Sequence, residues 1–317
     1  MSAVDRLMHE ALQAGVFPSA VLLVASRGEP VLHRAWGEAQ LDTIYDVASL
    51  TKAVCTSVVA MRLHDRGLLP LDARTRLLLA HAAGLPAHRP YYRRLRGRAV
   101  IARAAEREPW VYPPGTRSLY SDVGFIALGA VIERAGGSRL DRLFRCEVAV
   151  PLGLPDTRFG PFLSRGSRVA PTAPRRRGVV DDANARAMGG VAGHAGLFST
   201  AADLHLVCRA LAGAWQDEGG LVSRATIRRF WRRELPRTGS TWCLGWDTPS
   251  PRGSQAGTLL SRRTVGHLGF TGCSLWIDPV RELWIVLLTN RVRLGREPNL
   301  LKRFRPRLHD AILRALP

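Results

Sequence analysis

Lysine is nearly absent from this sequence, although the chain is strongly basic. Its 317 residues include 46 basic side chains and carry a formal net charge of +20, yet only Lys52 and Lys302 are lysines. The arginines are dispersed and are not interleaved with aromatic residues, so nucleic-acid binding is not predicted. A basic nucleic-acid-binding or membrane-surface protein is kept only as the least favoured class. Lys52, which lies in an apolar stretch, is not expected to be a routine surface charge.

The sequence also lacks the motifs of metal sites, phosphate-binding loops and disulfide frameworks. Its 5 cysteines are scattered, odd in number and without a C-x-x-C pair, which predicts reduced thiols in a reducing compartment. It has no H-E-x-x-H motif, no P-loop and no G-x-S-x-G elbow of the α/β-hydrolases. No metal and no cofactor is therefore expected.

Long apolar runs are missing as well. No stretch of about 18 apolar residues occurs, so no membrane-spanning helix is predicted. The first 16 residues have helical periodicity but no basic segment followed by an apolar one, so no secretory signal is visible. The expected location is therefore cytoplasmic, and the oligomeric state is left open.

The order of the predicted elements indicates an α+β fold. The predicted strands lie at 20–25, 31–36, 258–260, 264–267, 273–277 and 283–289. Helices are predicted between the two groups of strands, including a short one from Leu77 that ends at Gly84, and a last helix is predicted from Pro306 to Leu316. The segment from Pro151 to Val180 has the composition of a loop. We expect the terminal strands to share one antiparallel sheet, with a helical region inserted between them.

A serine and a lysine stand three residues apart at the start of a predicted buried helix. Positions i and i+3 share one face of a helix, so Ser49 Oγ and the Lys52 amine can meet. A lysine near the positive end of the helix dipole and away from water has a lowered pKa, so Lys52 is predicted to be neutral. A neutral amine can accept the serine proton and make Ser49 a nucleophile. S-x-x-K is also common in capped, solvated helix starts, so partners elsewhere in the chain are needed.

Two further motifs supply such partners. Tyr120 and Asp122 belong to a Y-S-D motif that precedes an apolar helix, for which Asp122 is predicted to be the N-cap. His267 and Gly269 belong to an H-L-G motif on a predicted strand edge. In order and approximate spacing, the three motifs resemble those of the class C β-lactamases, D,D-peptidases and related serine hydrolases.

This resemblance covers nearly the whole chain, from Phe17 to Asn290. It implies a β-lactamase/transpeptidase-like fold in a single catalytic domain, residues 1–317. The α/β lobe of that domain would comprise residues of about 1–48 and 200–317, and a helical lobe would comprise about 49–199.

The resemblance also implies catalytic roles. Ser49 would be the acylated nucleophile and Lys52 the base or proton shuttle. Tyr120 would exchange a proton with the leaving group, and His267 would stand where the lactamases have lysine. The backbone N–H groups of Ser49 and Phe270 would form the oxyanion hole.

Four more residues are expected to contact the substrate: Asp122, Gly269, Asn184 and His194. Asn184 and His194 flank a glycine-rich segment that is typical of a cleft rim. Asp122 stands where the family usually has asparagine. Its negative charge would stabilise the charged form of Lys52 and oppose the use of that lysine as a base.

The sequence therefore predicts a serine hydrolase that cleaves an ester or amide of a small molecule or peptide through an acyl-enzyme. A cell-wall-derived peptide or muropeptide is the expected substrate. Two alternatives stay open, a β-lactamase and a non-catalytic homologue that senses a ligand. The segment between Asp72 and Leu77 looks shorter than in the family, which favours the sensing homologue slightly.

Overall fold

A five-stranded antiparallel sheet joins the two ends of the chain in the computed structural model, which describes residues 3–162, 168–295 and 297–316. The strands are β1 Ser19–Ser26, β2 Glu29–Gly37, β3 Tyr45–Asp46, β4 Arg158–Phe159, β5 Leu197–Ser199, β6 Val265–Leu268, β7 Ser274–Asp278 and β8 Leu283–Thr289. The large sheet has the order β2-β1-β8-β7-β6, and a small sheet has the order β3-β5-β4.

Most of the helices lie in the chain between β3 and β6. The α-helices are α1 Ala3–Gln13, α2 Val58–Asp65, α3 Ala73–Leu79, α4 Arg98–Glu106, α5 Asp122–Gly136, α6 Leu140–Phe144, α7 Val150–Leu152, α8 Ala183–Ala187, α9 Ala201–Gln216, α10 Arg224–Phe230 and α11 Leu301–Ala315. A π-helical stretch, Lys52–Ser57, leads directly into α2. Wide turns of this kind are frequent at functional sites.

Strand β1, which lies between β2 and β8, is buried on both faces, and this explains why its sequence is one continuous apolar run. Val21 and Leu23 belong to the larger core, together with Val54 on the π-helical stretch. Leu22 and Val24 face the opposite side and pack in the core that α1 and α11 cover. Since successive side chains of a strand point to opposite faces, the sheet separates these two cores. The larger core supports the segment that carries Ser49.

The predicted α+β class is confirmed, because the terminal strands pair in one antiparallel sheet and helices lie between them. The predicted strand at 258–260 is wrong, since these residues form bends. Residues 163–167 of the predicted loop from Pro151 to Val180 lie outside the described part of the chain. The division into two lobes stays a prediction. Within the described ranges, no helix is long and apolar enough to cross a membrane.

The last helix begins earlier than predicted, at Leu301, so Pro306 lies inside it. A proline lacks the N–H that would bond to the carbonyl four residues before it, here that of Lys302. The Gln255 side chain donates a hydrogen bond to this carbonyl (Nε2 to O, 3.0 Å). A distant residue thus satisfies the group that the proline leaves open, and local sequence rules could not anticipate it.

The short helix predicted from Leu77 to Gly84 is also displaced. The helix is α3, which ends at Leu79, and Asp72 is its N-cap, accepting a hydrogen bond from the Thr75 N–H (2.7 Å). The predicted start at Leu77 is wrong because the leucine run does not mark the beginning of the helix. The capping residue Asp72 sets that beginning. The segment after Asp72, which looks short beside the family, forms the first turns of this helix.

Truncation of Leu287 will test the core under α1 and α11. Leu287 is fully buried, whereas Leu41 lies 46% exposed in a loop. We expect Leu287→Ala to lower the free energy of unfolding by about 2–5 kcal/mol, since it removes packed atoms and leaves a cavity. Leu41→Ala should change it by less than about 0.5 kcal/mol. Urea denaturation would measure both, and equal effects would contradict the described packing.

Candidate active site

A strained turn presents Ser49 at the end of β3. Ala48 adopts a left-handed conformation with φ of 48°, which is uncommon for a residue with a Cβ. Its N–H donates to Asp46 Oδ1 (2.9 Å), and its carbonyl accepts from Thr51 Oγ1 (2.6 Å). Such strain persists only where surrounding contacts hold it, and it is typical of active sites.

The Lys52 ammonium group lies beside the serine, as the spacing predicts. Its Nζ donates to Ser49 Oγ (2.9 Å) and to the backbone carbonyl of His194 (2.9 Å), and it lies 2.8 Å from Asp122 Oδ1. The lysine side chain has no solvent exposure. An ammonium group has three N–H donors, and each of these three oxygens can accept one of them. The geometry fits a charged lysine.

The prediction that Lys52 has a lowered pKa is wrong. Burial does lower the pKa of Lys52, but the negative charge of Asp122, together with Tyr120, more than offsets it, and the pKa lies above the ordinary lysine value. Burial raises the pKa of Asp122, but the charge of Lys52, together with the effect of His194, more than offsets this, and the pKa lies below its ordinary value. The resting site therefore contains an ammonium–carboxylate pair. The stabilising effect expected of Asp122 on the charged lysine is confirmed.

The Tyr120 hydroxyl also contacts the serine oxygen. Its Oη donates to Ser49 Oγ (2.8 Å), so the serine oxygen accepts hydrogen bonds from both Tyr120 and Lys52. Burial raises the pKa of Tyr120, and Asp122 adds to this, although Lys52 opposes it. The phenol is accordingly neutral and holds a proton. The Trp242 ring stacks on the Tyr120 ring with centroids 5.6 Å apart.

Asp122 is not the N-cap of α5, contrary to the prediction. Ser121 is the N-cap, and its Oγ accepts from the Gly124 N–H (2.9 Å). Asp122 is the first residue of the helix, which turns its carboxylate toward Lys52. Serine and aspartate both cap helices well, so the pair Ser121-Asp122 gave two possible start points.

His267 lies on β6 as predicted, and it is buried and neutral. Its Nδ1 lies 2.8 Å from the Leu268 carbonyl, which fits a proton on Nδ1. Burial, followed by the charge of Lys52, lowers the pKa of His267 to about 3. Its ring centroid lies 6.0 Å from that of Tyr120. His267 thus supplies a neutral imidazole to the site, and its catalytic role stays a prediction.

The turn after β6 is fastened to the nucleophile turn. A Cβ on Gly269 would lie 2.6 Å from the Val47 carbonyl oxygen, so only glycine allows this approach. Thr271 Oγ1 donates to the Asp46 carbonyl (2.7 Å). These contacts bring the backbone around Phe270 toward the serine segment. The predicted oxyanion hole agrees with this arrangement and stays a prediction.

His194 is buried behind the lysine and belongs to a carboxylate–imidazole pair. Its Nε2 lies 2.8 Å from Asp182 Oδ1, while its carbonyl accepts from Lys52. The glycine-rich segment reaches this position because Gly193 packs against α5, where a Cβ would lie 2.2 Å from the Phe125 carbonyl oxygen. The histidine lines the cleft, and its contact with substrate stays a prediction.

Asn184 does not line the cleft, so the prediction that it contacts the substrate is wrong. It is 1% exposed. Its Oδ1 accepts from the Tyr92 N–H (3.0 Å), and its Nδ2 donates to the Arg89 carbonyl (2.8 Å). Since both polar atoms are satisfied by backbone groups, Asn184 holds the 89–92 loop in place.

These side chains meet at the floor of a cleft of about 890 Å³. Its walls include Ser49, Tyr120, Asp122, Asp182, His194, Trp242, Asp247, His267, Gly269, Phe270, Lys302 and Arg305. A cavity of this volume is in the usual range of small-molecule and short-peptide sites.

Three site residues were missed by the sequence reasoning: Asp46, Asp182 and Trp242. Asp46 joins two segments of the site, because its Oδ1 accepts from the Ala48 N–H and its Oδ2 accepts from the Asp181 N–H (2.7 Å). Its position three residues before Ser49 was the available signal. Asp182 and Trp242 come from distant loops, and no motif marks them.

The arrangement defines a class of enzyme. A serine oxygen between a lysine and a tyrosine, on the floor of a cleft beside an antiparallel sheet, is the site of a serine hydrolase that works through an acyl-enzyme. The family model described as Beta-lactamase matches residues 4–306. The chain therefore belongs to the beta-lactamase family, as the three motifs predict.

Known relatives agree with this assignment. A putative D-alanyl-D-alanine carboxypeptidase of Escherichia coli strain K12 is 29% identical, over 92% of this chain and 82% of the relative. A penicillin-binding protein homologue from Caulobacter crescentus has a TM-score of 0.77 at 22% identity, over 99% of this chain and 97% of that chain. EstCE1, a hydrolase with promiscuous acyltransferase activity, has a TM-score of 0.76 at 22% identity, over 98% and 97%.

Replacement of Asp122 by asparagine will test the electrostatic control of Lys52. Acylation by a lysine base requires the amine, so its rate rises with pH toward the pKa of Lys52. Asp122→Asn removes the charge that raises this pKa and leaves the burial that lowers it. We expect the curve of acylation rate against pH to move to lower pH. Asp217→Asn, at an exposed carboxylate, is the control. A curve that stays in place would contradict Lys52 as the base.

Replacement of Asp46 by asparagine will test the support of the nucleophile turn. Asparagine offers one acceptor oxygen, so the N–H of Ala48 or of Asp181 loses its partner, at a cost of about 1–3 kcal/mol. We expect the acylation rate of Ser49 to fall about tenfold or more, with little change in KM for a small ester. Asp72→Asn, which preserves a helix cap, should leave the rate unchanged. Equal rates for both variants would show that Asp46 does not position the turn.

Proposed function

We propose that this enzyme hydrolyses a peptide bond next to a D-amino acid, in peptides derived from the bacterial cell wall. The observation that carries the proposal is the position of Ser49 Oγ, 2.9 Å from Lys52 Nζ and 2.8 Å from Tyr120 Oη. The Lys52 amine can accept the serine proton once the ammonium has lost a proton. The Tyr120 hydroxyl can give a proton to a leaving amine.

In acylation, Ser49 Oγ would attack the substrate carbonyl carbon. Lys52 is an ammonium in the resting state, so it must first release a proton to solvent, which becomes easier as the pH rises toward its pKa. The lysine then accepts the serine proton as the new C–O bond forms. Tyr120 donates its proton to the leaving amine as the C–N bond breaks, and it regains a proton from Lys52. The serine proton thus ends, in net terms, on the amine.

The developing oxyanion would be held by the N–H groups of Ser49 and Phe270. Each donor of this kind is worth about 3 kcal/mol of transition-state stabilisation. The close contact of Gly269 with the Val47 carbonyl supports the proposal, since it holds the two segments together. Water would then hydrolyse the acyl-enzyme and release the acid.

The substrate class is proposed from the relatives and from the cleft. The Escherichia coli relative is named as a putative D-alanyl-D-alanine carboxypeptidase and shares most of its length with this chain. The cleft of about 890 Å³ has room for a short peptide. A cytoplasmic location would suit the recycling of cell-wall fragments and remains part of the proposal, which cell fractionation would test.

A covalent probe will test the nucleophile. We expect a fluorophosphonate or a fluorescent penicillin to add one probe mass to the wild-type chain, because either reagent traps an activated serine. Intact-mass spectrometry would measure the adduct. Ser49→Ala should abolish it, and Ser250→Ala, in a loop, should not. A folded wild-type protein without an adduct from either probe would instead favour the sensing homologue.

A substrate panel then separates the remaining alternatives. Release of D-alanine from a peptide ending in D-Ala-D-Ala, faster than turnover of nitrocefin or of p-nitrophenyl esters, is the expected result. Faster turnover of nitrocefin would favour a β-lactamase. An adduct that forms and is never released would indicate a ligand sensor.

A further inference from the structure

A second cleft, of about 1020 Å³, lies next to the active-site cleft. It is called the arginine cleft here, because six arginines and a single acidic residue line it: Arg76, Arg229, Arg232, Arg233, Arg262, Arg263 and Glu234. Segment 247–257 separates the two clefts. Asp247 and Gln255 line the active-site cleft, while Thr248 and Ser254 line the arginine cleft.

The positive charge of the arginine cleft is largely unneutralised. Glu234 is shared by two of the arginines, since it lies 2.7 Å from Arg229 and 3.3 Å from Arg76. Within residues 3–162, 168–295 and 297–316, no carboxylate lies within 4.0 Å of the other four guanidinium groups. A concave surface lined by one sign of charge focuses the field and attracts counter-ions.

The walls of the arginine cleft are also rich in hydrogen-bond donors. Arg233 is held by two neutral acceptors, Thr248 Oγ1 (2.7 Å from Nε) and the Pro249 carbonyl (3.1 Å from Nη2), which fix its guanidinium without cancelling its charge. The guanidinium groups of Arg232, Arg262 and Arg263 present further N–H donors at exposed positions of the wall, so the wall favours a ligand with many acceptor oxygens.

We propose that the arginine cleft binds a multivalent phosphate, such as a diphosphate or the diphosphate portion of a larger ligand. Guanidinium groups pair with phosphate oxygens through two parallel hydrogen bonds, and six of them line this cleft. A diphosphate offers both the charge and the number of acceptors that the cleft lacks. This binding site is separate from Ser49 and does not depend on the hydrolytic function.

Calorimetric titration of the full chain with pyrophosphate tests the proposal. We expect one pyrophosphate per chain, with an affinity that falls as ionic strength rises. The double variant Arg232→Gln with Arg263→Gln should weaken binding about tenfold or more, since each charge-assisted hydrogen bond contributes substantially. The control is Arg142→Gln with Arg145→Gln, which removes the same charge from exposed positions on and next to α6 and should change the affinity less than about twofold.

Four results would overturn the proposal. They are the absence of pyrophosphate binding, equal weakening by the two double variants, binding of single-stranded RNA without binding of pyrophosphate, and competition by pyrophosphate against probe labelling of Ser49. Equal weakening would mean diffuse attraction to a basic surface. Competition would place the anion in the active-site cleft. Circular dichroism of both double variants, measured alongside, should match that of the wild type because the substituted side chains are exposed.

Discussion

The buried ion pair between Lys52 and Asp122 is the interaction on which the site depends. Lys52 has no solvent exposure, and an unpaired ammonium in that position would carry a desolvation cost of several kcal/mol. The carboxylate of Asp122 at 2.8 Å, with Ser49 Oγ and the His194 carbonyl, offsets that cost. Because these groups come from three separate segments, the ammonium also fixes the start of α5 and the glycine-rich loop around the serine.

The same ion pair also makes Lys52 a weaker base for the activation of Ser49. A lysine that is stabilised as an ammonium is a poor base until a proton leaves it, so the charge of Asp122 sets how readily Ser49 is activated. His267 does not add a second positive charge, because its pKa is about 3. The groups around Ser49 thus include a neutral imidazole, a neutral phenol and the Lys52–Asp122 ion pair, which suits a carbonyl substrate whose negative charge develops only during the reaction.

The sequence predicted the parts of this site that depend on short-range geometry and on motif order. Ser49, Lys52 and Tyr120 meet as expected, because helical spacing and three ordered motifs define them. It did not predict the sign of the pKa shift of Lys52, which is the balance of burial against one charge from α5. Asn184 was misassigned for a related reason: whether a polar side chain faces a cleft or the backbone of a neighbouring loop is decided by tertiary packing.

Lys52 is one of only two lysines in the chain, and its chemistry explains why lysine is retained at this position. Apart from Lys302, the chain otherwise uses arginine, whose guanidinium stays charged in proteins and therefore cannot serve as a base. The site requires a cation that donates to Ser49 Oγ and to the His194 carbonyl, pairs with the Asp122 carboxylate and can also lose a proton. Lysine meets both requirements, so a composition that otherwise favours arginine retains it beside the serine.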